Sequence, residues 1–318
     1  MRASETGMIR FLLLRALGLL PVLCIAVVLA FAANHATPGD PITVMLGDQS
    51  ANLELMAKLR REYGLDRPIL EQFVHYITGL LRGDFGLSFR FPGVPVTSVI
   101  ADGLWISPLL AACAILIAFP IGVAAGTFAA VRANTAADTG VMLLLVAGLS
   151  VPNFALAAFC VWLFALKLGW LPVAGWASAR HAVLPVLLLA VAPTAYIGRL
   201  ARTFMLEVLH QDYMRTARAK GIGPRLVVWR HGLRNVLVPI LTVAGIIIGG
   251  LITSTFVIET IFNIPGLGRI AIQSIFARDY PVTTAIVLLF TAFYVVINLA
   301  IDALHMLIDP RVRLKGAS

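Results

Sequence analysis

Few side chains in this sequence are both polar and close enough in register to do chemistry. Asn298, Asp302 and His305 recur at i, i+4 and i+7, which puts an amide, an acid and an imidazole on one face of a predicted helix. An ionisable group inside an apolar helix is a candidate proton relay, so this face would suit a proton-coupled secondary carrier. Asp302 stands about one to two turns from the end of its apolar run, however, where solvation or pairing is cheap and a structural role is favoured. Ser150 and His305 offer a nucleophile–base pair to an intramembrane hydrolase. No GxSxG elbow or HExxH motif accompanies them, and a helical serine far more often bonds to its own backbone. The sequence therefore reads as non-enzymatic, with no catalytic residue.

Metal, redox and nucleotide chemistry are no better supported. Cys24, Cys113 and Cys160 lie far apart, each within an apolar run and without a CxxC or Cys/His cluster. They read as small buried hydrophobes, neither zinc ligands nor a disulfide framework. No GxxxxGK[ST] phosphate loop occurs, so this polypeptide does not cradle ATP by that route. No cofactor or metal of its own is expected.

The remaining concentration of functional side chains is the basic segment Arg199–Arg234. Good helix formers run up to Gly221, the Gly221-Ile-Gly-Pro224 sequence breaks the chain, and a second helix follows. Ala217, Ala219 and Gly221 keep the bend small, so the helix pair offers a compact knob to a partner's groove. A solvated basic loop against anionic lipid would account for the charge, but not for Phe204, Leu206, Val208 and Trp229.

The elements that must position these residues are set by composition. The 318 residues are 59% hydrophobic and 13% charged, with a mean hydropathy of +0.91. A soluble domain would carry about 25% charged residues, so too few polar side chains exist to coat a globule. The chain is expected to be an all-α polytopic membrane protein. Six apolar stretches, 11–33, 104–130, 139–166, 182–198, 236–258 and 283–307, are its predicted transmembrane helices. Continuously apolar runs such as Val141–Val146 and Ala285–Phe290 exclude barrel strands, which would alternate.

Pro21, Pro108, Pro120, Pro152, Pro185, Pro193 and Pro239 fall inside these stretches, where neighbouring helices can repair the lost hydrogen bonds. Gly122-x3-Gly126 and Gly245-x3-Gly249 would let helices approach closely. The first stretch follows Arg2, Arg10 and Arg15 and ends in Ala30-Phe31-Ala32, like a signal peptide. Its apolar part outruns the usual 7–15 residues, about the h-region limit, so an uncleaved helix is expected.

With the N-terminus placed in the cytoplasm, the cytoplasmic side collects 15 basic and five acidic residues, and the opposite side ten of each. Glu5, Asp138, Glu207, Asp212 and Asp309 are the five acids. The positive-inside bias then puts both termini in the cytoplasm, and the overall charge of +9 becomes a topology signal instead of a nucleic-acid footprint.

Outside lies a polar region, 34–103. There Asn52–Tyr63 gathers Leu55, Met56, Leu59 and Tyr63 on one helical face, pairs Glu54, Lys58 and Glu62 at i,i+4, and can end at Gly64. A second helix is expected to start with Asp66 as cap and Pro68 in its first turn. It carries Ile69, Leu70, Phe73, Val74, Ile77, Leu80 and Leu81, and stops at Gly83. These helices either cap the bundle or dock a soluble partner.

Tyr213-Met-Arg-Thr-Ala-Arg-Ala-Lys-Gly221 resembles the "EAA" loop of permease subunits of ATP-binding-cassette importers. It is most similar to the oligopeptide/dipeptide (peptide/nickel) branch, in its first-permease type. Pro38-Gly-Asp-Pro41, Gly64-Leu-Asp-Arg-Pro68, Gly83-Asp-Phe-Gly86 and Ile258-Glu-Thr-Ile-Phe262 extend the resemblance, as do Pro265-Gly-Leu-Gly268, Arg278-Asp-Tyr-Pro281 and Asp309-Pro-Arg311. The general loop motif begins Glu-Ala-Ala where Arg215-Thr-Ala217 stands here, as in the peptide branch.

The resemblance implies the type I importer permease fold in the bacterial inner membrane. It implies one transmembrane domain over 1–318: 1–103 as first helix plus extracytoplasmic region, and 104–318 as a five-helix core with the loop 199–234. It implies a sister permease, two ATP-binding subunits that hold the ATP, and an extracytoplasmic solute-binding protein delivering peptides or similar small solutes, with membrane lipid around and no nucleic acid. The ATPase-coupling loop then comprises Glu207, Asp212, Tyr213, Arg215, Thr216, Ala217, Arg218, Ala219, Lys220, Gly221 and His231, with Ala217 and Gly221 at the contact point.

Overall fold

The computed structural model describes the backbone of residues 2–36, 39–46 and 52–308, and the side chains from Leu17 to Ala303 except at 19, 34, 37–38, 44, 47–51 and 252–253. The side chains of Arg2, Glu5, Arg10, Arg15, Pro38, His305, Asp309 and Arg311 lie outside the described residues.

A backbone in hydrocarbon must satisfy its own hydrogen bonds, and the long apolar runs do so as helices. In order these are α1 (Arg2–Ala36), α2 (Pro41–Leu46), α3 (Leu53–Glu62), α4 (Ile69–Leu81), α5 (Val96–Ile100), α6 (Gly103–Val131), α7 (Ala136–Ser150) and α8 (Asn153–Cys160). They continue as α9 (Ala179–Leu209), α10 (Asp212–Ala219), α11 (Pro224–Leu226), α12 (Leu233–Ile261), α13 (Leu267–Phe276) and α14 (Tyr280–Ile308). Two π-helical segments, Val161–Lys167 and Val227–Gly232, extend α8 and join α11 to α12.

Among the described residues four helices are long and apolar enough to cross a membrane: Val96–Val131, Ala179–Leu209, Pro224–Leu251 and Tyr280–Ala303. Ala136–Ser150 and Asn153–Lys167 are apolar enough only together and meet at 98°, the geometry of a broken span or of a re-entrant loop. In α1 the apolar described part is the shorter Leu20–Ala33.

Most intrahelical prolines behave as expected: Pro21, Pro108, Pro120, Pro185, Pro193 and Pro239 are carried inside continuous helices. Pro152 is the exception. Val151 before it is extended, at ψ 124°, and the helix stops there. A proline disfavours helical geometry at the preceding residue, and here the chain turns instead of repairing the gap. The fourth predicted helix is also longer than its apolar stretch. It continues through Arg199 to Leu209, since no glycine or proline intervenes and Ala201 and Met205 remain fully buried.

The chain divides into two compact units. One comprises Met1–Ala16, Pro108–Ile264 and Val295–Ser318, and the other Leu17–Ser107 and Pro265–Tyr294.

In the first unit α9 is the central helix, packed by α7, α8 and α12. Its approach to α6 depends on glycines: a Cβ on Gly126 would overlap the Gly198 carbonyl, and one on Gly122 would lie 2.9 Å from the Thr194 oxygen. A Cβ on Gly198 would stand 2.7 Å from Leu145 of α7, and one on Gly245 2.6 Å from Ile301 of α14. Gly122, Gly126 and Gly245 therefore face a neighbouring helix, and packing of this kind replaces the hydrophobic drive that lipid removes.

One ion pair ties the start of α7 to α9. Arg202 Nε and Nη2 donate to the Asp138 carboxylate at 2.6 and 2.7 Å. The same carboxylate accepts from the Asn134 amide at 3.0 Å, while Thr135 caps α7 by accepting from the Asp138 amide.

The second unit has its own core, in which Val96, Ile100, Leu267, Val282, Ala285 and Ile286 are buried together. Ser107 Oγ accepts from the Leu267 amide at 2.8 Å, and a Cβ on Gly103 would lie 2.7 Å from that same nitrogen. Asp279, buried just ahead of α14, gathers a loop around its carboxylate: it accepts from Ser88 Oγ, the Phe89 amide at 3.0 Å and the Arg90 amide at 3.3 Å.

Of the helices within 34–103, α3 follows the sequence reading closely. Asn52 caps it by accepting from the Leu55 amide at 3.1 Å, and Gly64 follows its end at φ +65°. The predicted Glu54–Lys58–Glu62 pairs are not formed among the described residues. Arg60 instead binds Asp40, at 2.7 Å. Exposed helix pairs gain only about 0.2–0.5 kcal/mol, too little to hold flexible side chains in place. Nor does Asp66 cap α4. Arg67 precedes a proline and is disfavoured in helical geometry, so the helix starts only after Pro68, which is its N-cap.

Two outcomes follow for the buried acids. Asp138→Ala leaves Arg202 without its partner, and because Arg202 is partly exposed the cost should fall near about 3 kcal/mol, the low end for a broken buried pair. Thermal unfolding of the purified protein measures it, and the Asp138→Ala/Arg202→Ala double variant should be markedly less unstable than the two single losses summed. Strict additivity would show that the pair is not coupled. Asp279→Asn keeps the shape but weakens charge-assisted bonds worth about 1.5–3 kcal/mol each. Amide exchange at Phe89 and Arg90 should then accelerate while α9 is unchanged, and unaltered exchange there would remove Asp279 as the anchor.

Candidate functional site

The segment between α9 and α12 forms a hairpin built from the residues the sequence singles out. His210 ends α9, its Nδ1 2.7 Å from the Leu206 carbonyl. Asp212 opens α10 and Arg218 lies in its last turn, an order that suits the helix dipole at both ends. The Asp212–Arg215 pair, at 3.8 Å with both side chains mostly exposed, contributes little. Thr216 Oγ1 donates to the Asp212 carbonyl at 3.0 Å, which occupies its hydroxyl.

Beneath α10 lies a small core. Met214, Ala217 and Val227 are buried together against Val208, Leu209 and Ile222. Ala217 is 7% exposed and faces this core, so its methyl braces the helix from below. The outward face is made by Arg215, Thr216, Arg218, Ala219, Lys220 and Gly221, all exposed, with Glu207, Asp212 and Tyr213 also exposed and His231 half-buried. Two further contacts, not foreseen from the sequence, fix the hairpin. Asn235 Nδ2 donates to Tyr213 Oη and to the His231 carbonyl, both at 3.0 Å, and so joins α10 to the start of α12. Gly232 is buried where a Cβ would stand 3.2 Å from Met205 Sδ and 3.4 Å from Met214 Cε.

The bend itself closes as the glycine pattern predicts. The amides of Gly221 and Ile222 donate back to Arg218 and Ala217, and Gly221 adopts φ +77°. That conformation favours glycine, and no atom of the chain lies within 4 Å of where a Cβ would be. Pro224 then opens the next helix at a position where its missing N–H costs nothing. The result is a braced helix end with an open, small-residue tip, continuous on both sides with long helices of the same unit.

The other sequence candidates do not assemble into a catalytic site. Ser150 Oγ donates to the Val146 carbonyl at 2.8 Å, the ordinary role of a helical serine. Asn298 and Asp302 both engage other groups. Cys24, Cys113 and Cys160 are free thiols, and no cluster of metal-binding side chains occurs among the described residues. In the second unit a cavity of about 680 Å³ is lined by Asp40, Arg60, Arg67, Asp84 and several aromatic rings. Its mixture of charges selects no single class of ligand. The Tyr76 hydroxyl beside it has no hydrogen-bond partner among the described residues, and burial pushes that phenol above its ordinary range.

Comparison with known proteins gives this geometry its context. Residues 122–314 match the family described as binding-protein-dependent transport system inner membrane component, and residues 8–92 match its N-terminal companion. The glutathione transport system permease protein GsiC of Shigella flexneri is 41% identical over 308 residues, which is 97% of this chain and all of that protein. The GsiC protein of Salmonella typhi is 42% identical over 311 residues, with the same coverage. Among solved structures, an inward-facing form of the MetNI methionine ABC transporter has the same fold, with a TM-score of 0.59 at 19% identity, over 67% of this chain and 97% of that one. The chain belongs to the binding-protein-dependent transport system inner membrane components and is a multi-pass permease subunit of an ATP-binding-cassette importer.

Proposed function

We propose that this subunit forms half of a translocation path for peptides or similarly small polar solutes, with α10 and its flanking bends as the surface through which ATP-driven motion enters. The cargo class rests on the 41% identity to glutathione permeases along nearly the whole chain, glutathione being itself a small peptide. The assembly implied is one sister permease, two cytoplasmic ATP-binding subunits and an extracytoplasmic solute-binding protein. ATP belongs to the partner subunits, because this chain carries no phosphate loop. Both termini and α10 face the cytoplasm in this reading, in keeping with 15 basic and five acidic residues on that side.

The observation that carries the coupling role is the combination of a braced helix and an open tip. Met214 and Ala217 lock α10 onto its own hairpin, so a force on the exposed face moves the hairpin as a body. At the tip, Gly221 leaves room that a partner's groove would fill. A side chain there costs about 1–2 kcal/mol for the left-handed backbone. A leucine adds about 1–3 kcal/mol of overpacking only where a partner is docked, since it meets nothing in its own chain. The first cost falls on the subunit itself, and the second weakens docking by about 5- to 150-fold at 1.4 kcal/mol per decade.

Reconstitution of Gly221→Leu with its partner subunits in liposomes tests this. The variant should fold and insert, but transport should be lost and the ATPase should no longer respond to the loaded binding protein. Wild-type transport would take the coupling role away from this loop. Ala217→Leu, by contrast, should destabilise the subunit itself, because its methyl lies in the hairpin core. Orientation has a separate test by cysteine labelling in intact cells. Glu54→Cys should react with an impermeant reagent, whereas Lys220→Cys and Ser318→Cys should react only after permeabilisation. External labelling at position 220 would overturn the topology.

A further inference from the structure

We propose that α4 is an amphipathic helix seated in the outer surface of the bilayer, with its exposed apolar row in contact with phospholipid. Leu70, Val74 and Leu81 fall within about 40° of one another at 100° per residue, and they are 74%, 55% and 84% exposed. Among the described residues no side chain of this unit covers that row: α4 contains no buried residue. The adjoining flank, about 60–120° around the helix from the middle of that row, carries Glu71, His75 and Thr78, all exposed and polar. A free row of this kind needs an occupant, and two features of the same unit select lipid.

The first is the height at which α4 is fixed. Phe31 belongs to the apolar stretch Leu20–Ala33 of α1, whose Leu20, Ile25, Val28 and Leu29 are all at least half exposed, as lipid-facing residues are. Phe31 packs edge-on against Phe73 of α4 at 5.1 Å and lies 6.1 Å from the Tyr76 ring. One turn later, where α1 leaves its apolar stretch, His35 Nε2 lies 3.2 Å from Gln72 Oε1. The helix is thus pinned at the boundary where hydrocarbon gives way to water, and its apolar row, on a different side from the Gln72, Phe73 and Tyr76 contacts with α1, is free to face lipid at that height.

The second is charge. Arg67 and Arg82 flank α4 at its two ends, both exposed and neither in an ion pair among the described residues. Exposed Asp66, Glu71 and Asp84 stand near them, so the match is local: each arginine can meet one anionic headgroup at its helix end, above an acyl boundary. A protein partner would be served equally well by either sign of charge, and only the bilayer offers both an apolar layer and anions at the depth where α1 ends.

The test uses the complete transporter in nanodiscs of phosphatidylethanolamine and phosphatidylglycerol, with Cys24, Cys113 and Cys160 replaced. A fluorescent label is attached in turn through Leu70→Cys, Val74→Cys, Glu71→Cys and His75→Cys, all exposed positions that tolerate it. Labels at 70 and 74 should be quenched by lipids carrying a doxyl group high on the acyl chain and shielded severalfold from aqueous iodide. Labels at 71 and 75 should show the reverse. Arg67→Gln with Arg82→Gln should raise iodide access at 74 by up to about fivefold per arginine removed, and only when the anionic lipid is present. Equal iodide access at 70, 71, 74 and 75 would overturn the proposal. Shielding of 70 and 74 that develops only on adding the binding protein would overturn it too, and would identify a protein as the occupant.

Discussion

Hydrocarbon offers no hydrogen bonds, and the rest of this structure depends on that constraint. Every backbone amide that crosses the membrane must be paired within its own helix, so the long apolar runs have no alternative to helical structure. The same medium removes the hydrophobic drive between helices, because lipid chains are as apolar as leucine. What remains is close contact. Gly122, Gly126 and Gly198 let α6, α7 and α9 approach to distances at which a single Cβ would collide with backbone or with Leu145. Two polar anchors sit at helix ends. Asp138 lies in the first turn of α7 and Asp279 immediately before α14, each at the end where a helix favours negative charge.

Rigidity in the hairpin between α9 and α12 has the same origin. A long helix that continues eleven residues past its apolar stretch keeps its register from the bundle out to Leu209. The bend at His210 and Gln211 redirects the chain into α10, and the Tyr213–Asn235 hydrogen bond returns the hairpin to α12. Between α11 and α12 lies the π-helical segment Val227–Gly232, a geometry frequent at functional sites because it inserts an extra residue without ending the helix. Its buried Gly232 admits Met205 and Met214 against the backbone. Motion applied to α10 therefore has two stiff routes into the same unit.

How much of this was legible in the sequence follows from the range of the forces involved. Local signals are legible: Gly64, Gly83 and Gly221 as helix ends, and the Gly221–Pro224 break ahead of a further helix, depend on neighbours within a turn. Gly122 and Gly126 mark a close approach as their spacing predicts, since each meets the backbone of α9. Long-range contacts were not legible. The Arg278-Asp-Tyr-Pro281 and Gly83-Asp-Phe-Gly86 motifs looked like isolated tetrapeptides, yet Asp279 reaches across 189 to 191 positions to the 88–90 segment. Ala217 was read as an outward contact because it is small, whereas its neighbours Met214 and Val227 turn it inward. Pro152 resembled the other helix prolines, and whether a helix bends or breaks depends on what fills the gap, which no local pattern records.

The distribution of buried polar groups bears on how selectivity is divided. In the first unit the described side chains that are both buried and polar are Thr127, Asp138, Thr255 and Glu259. Asp138 is consumed by Arg202, and Thr255 and Glu259 are engaged elsewhere in the chain. Of these four only Thr127 lacks a hydrogen-bond partner among the described residues, so the packed interior of this unit offers a polar solute little to bind. Importers gain from that poverty. A path that held its cargo tightly would have to spend the energy of each ATP cycle on releasing it, since only differential binding between the two facing states can shift the solute across. Recognition is then best placed in a separate soluble protein, and the membrane subunit is free to be optimised for packing and for the transmission of motion.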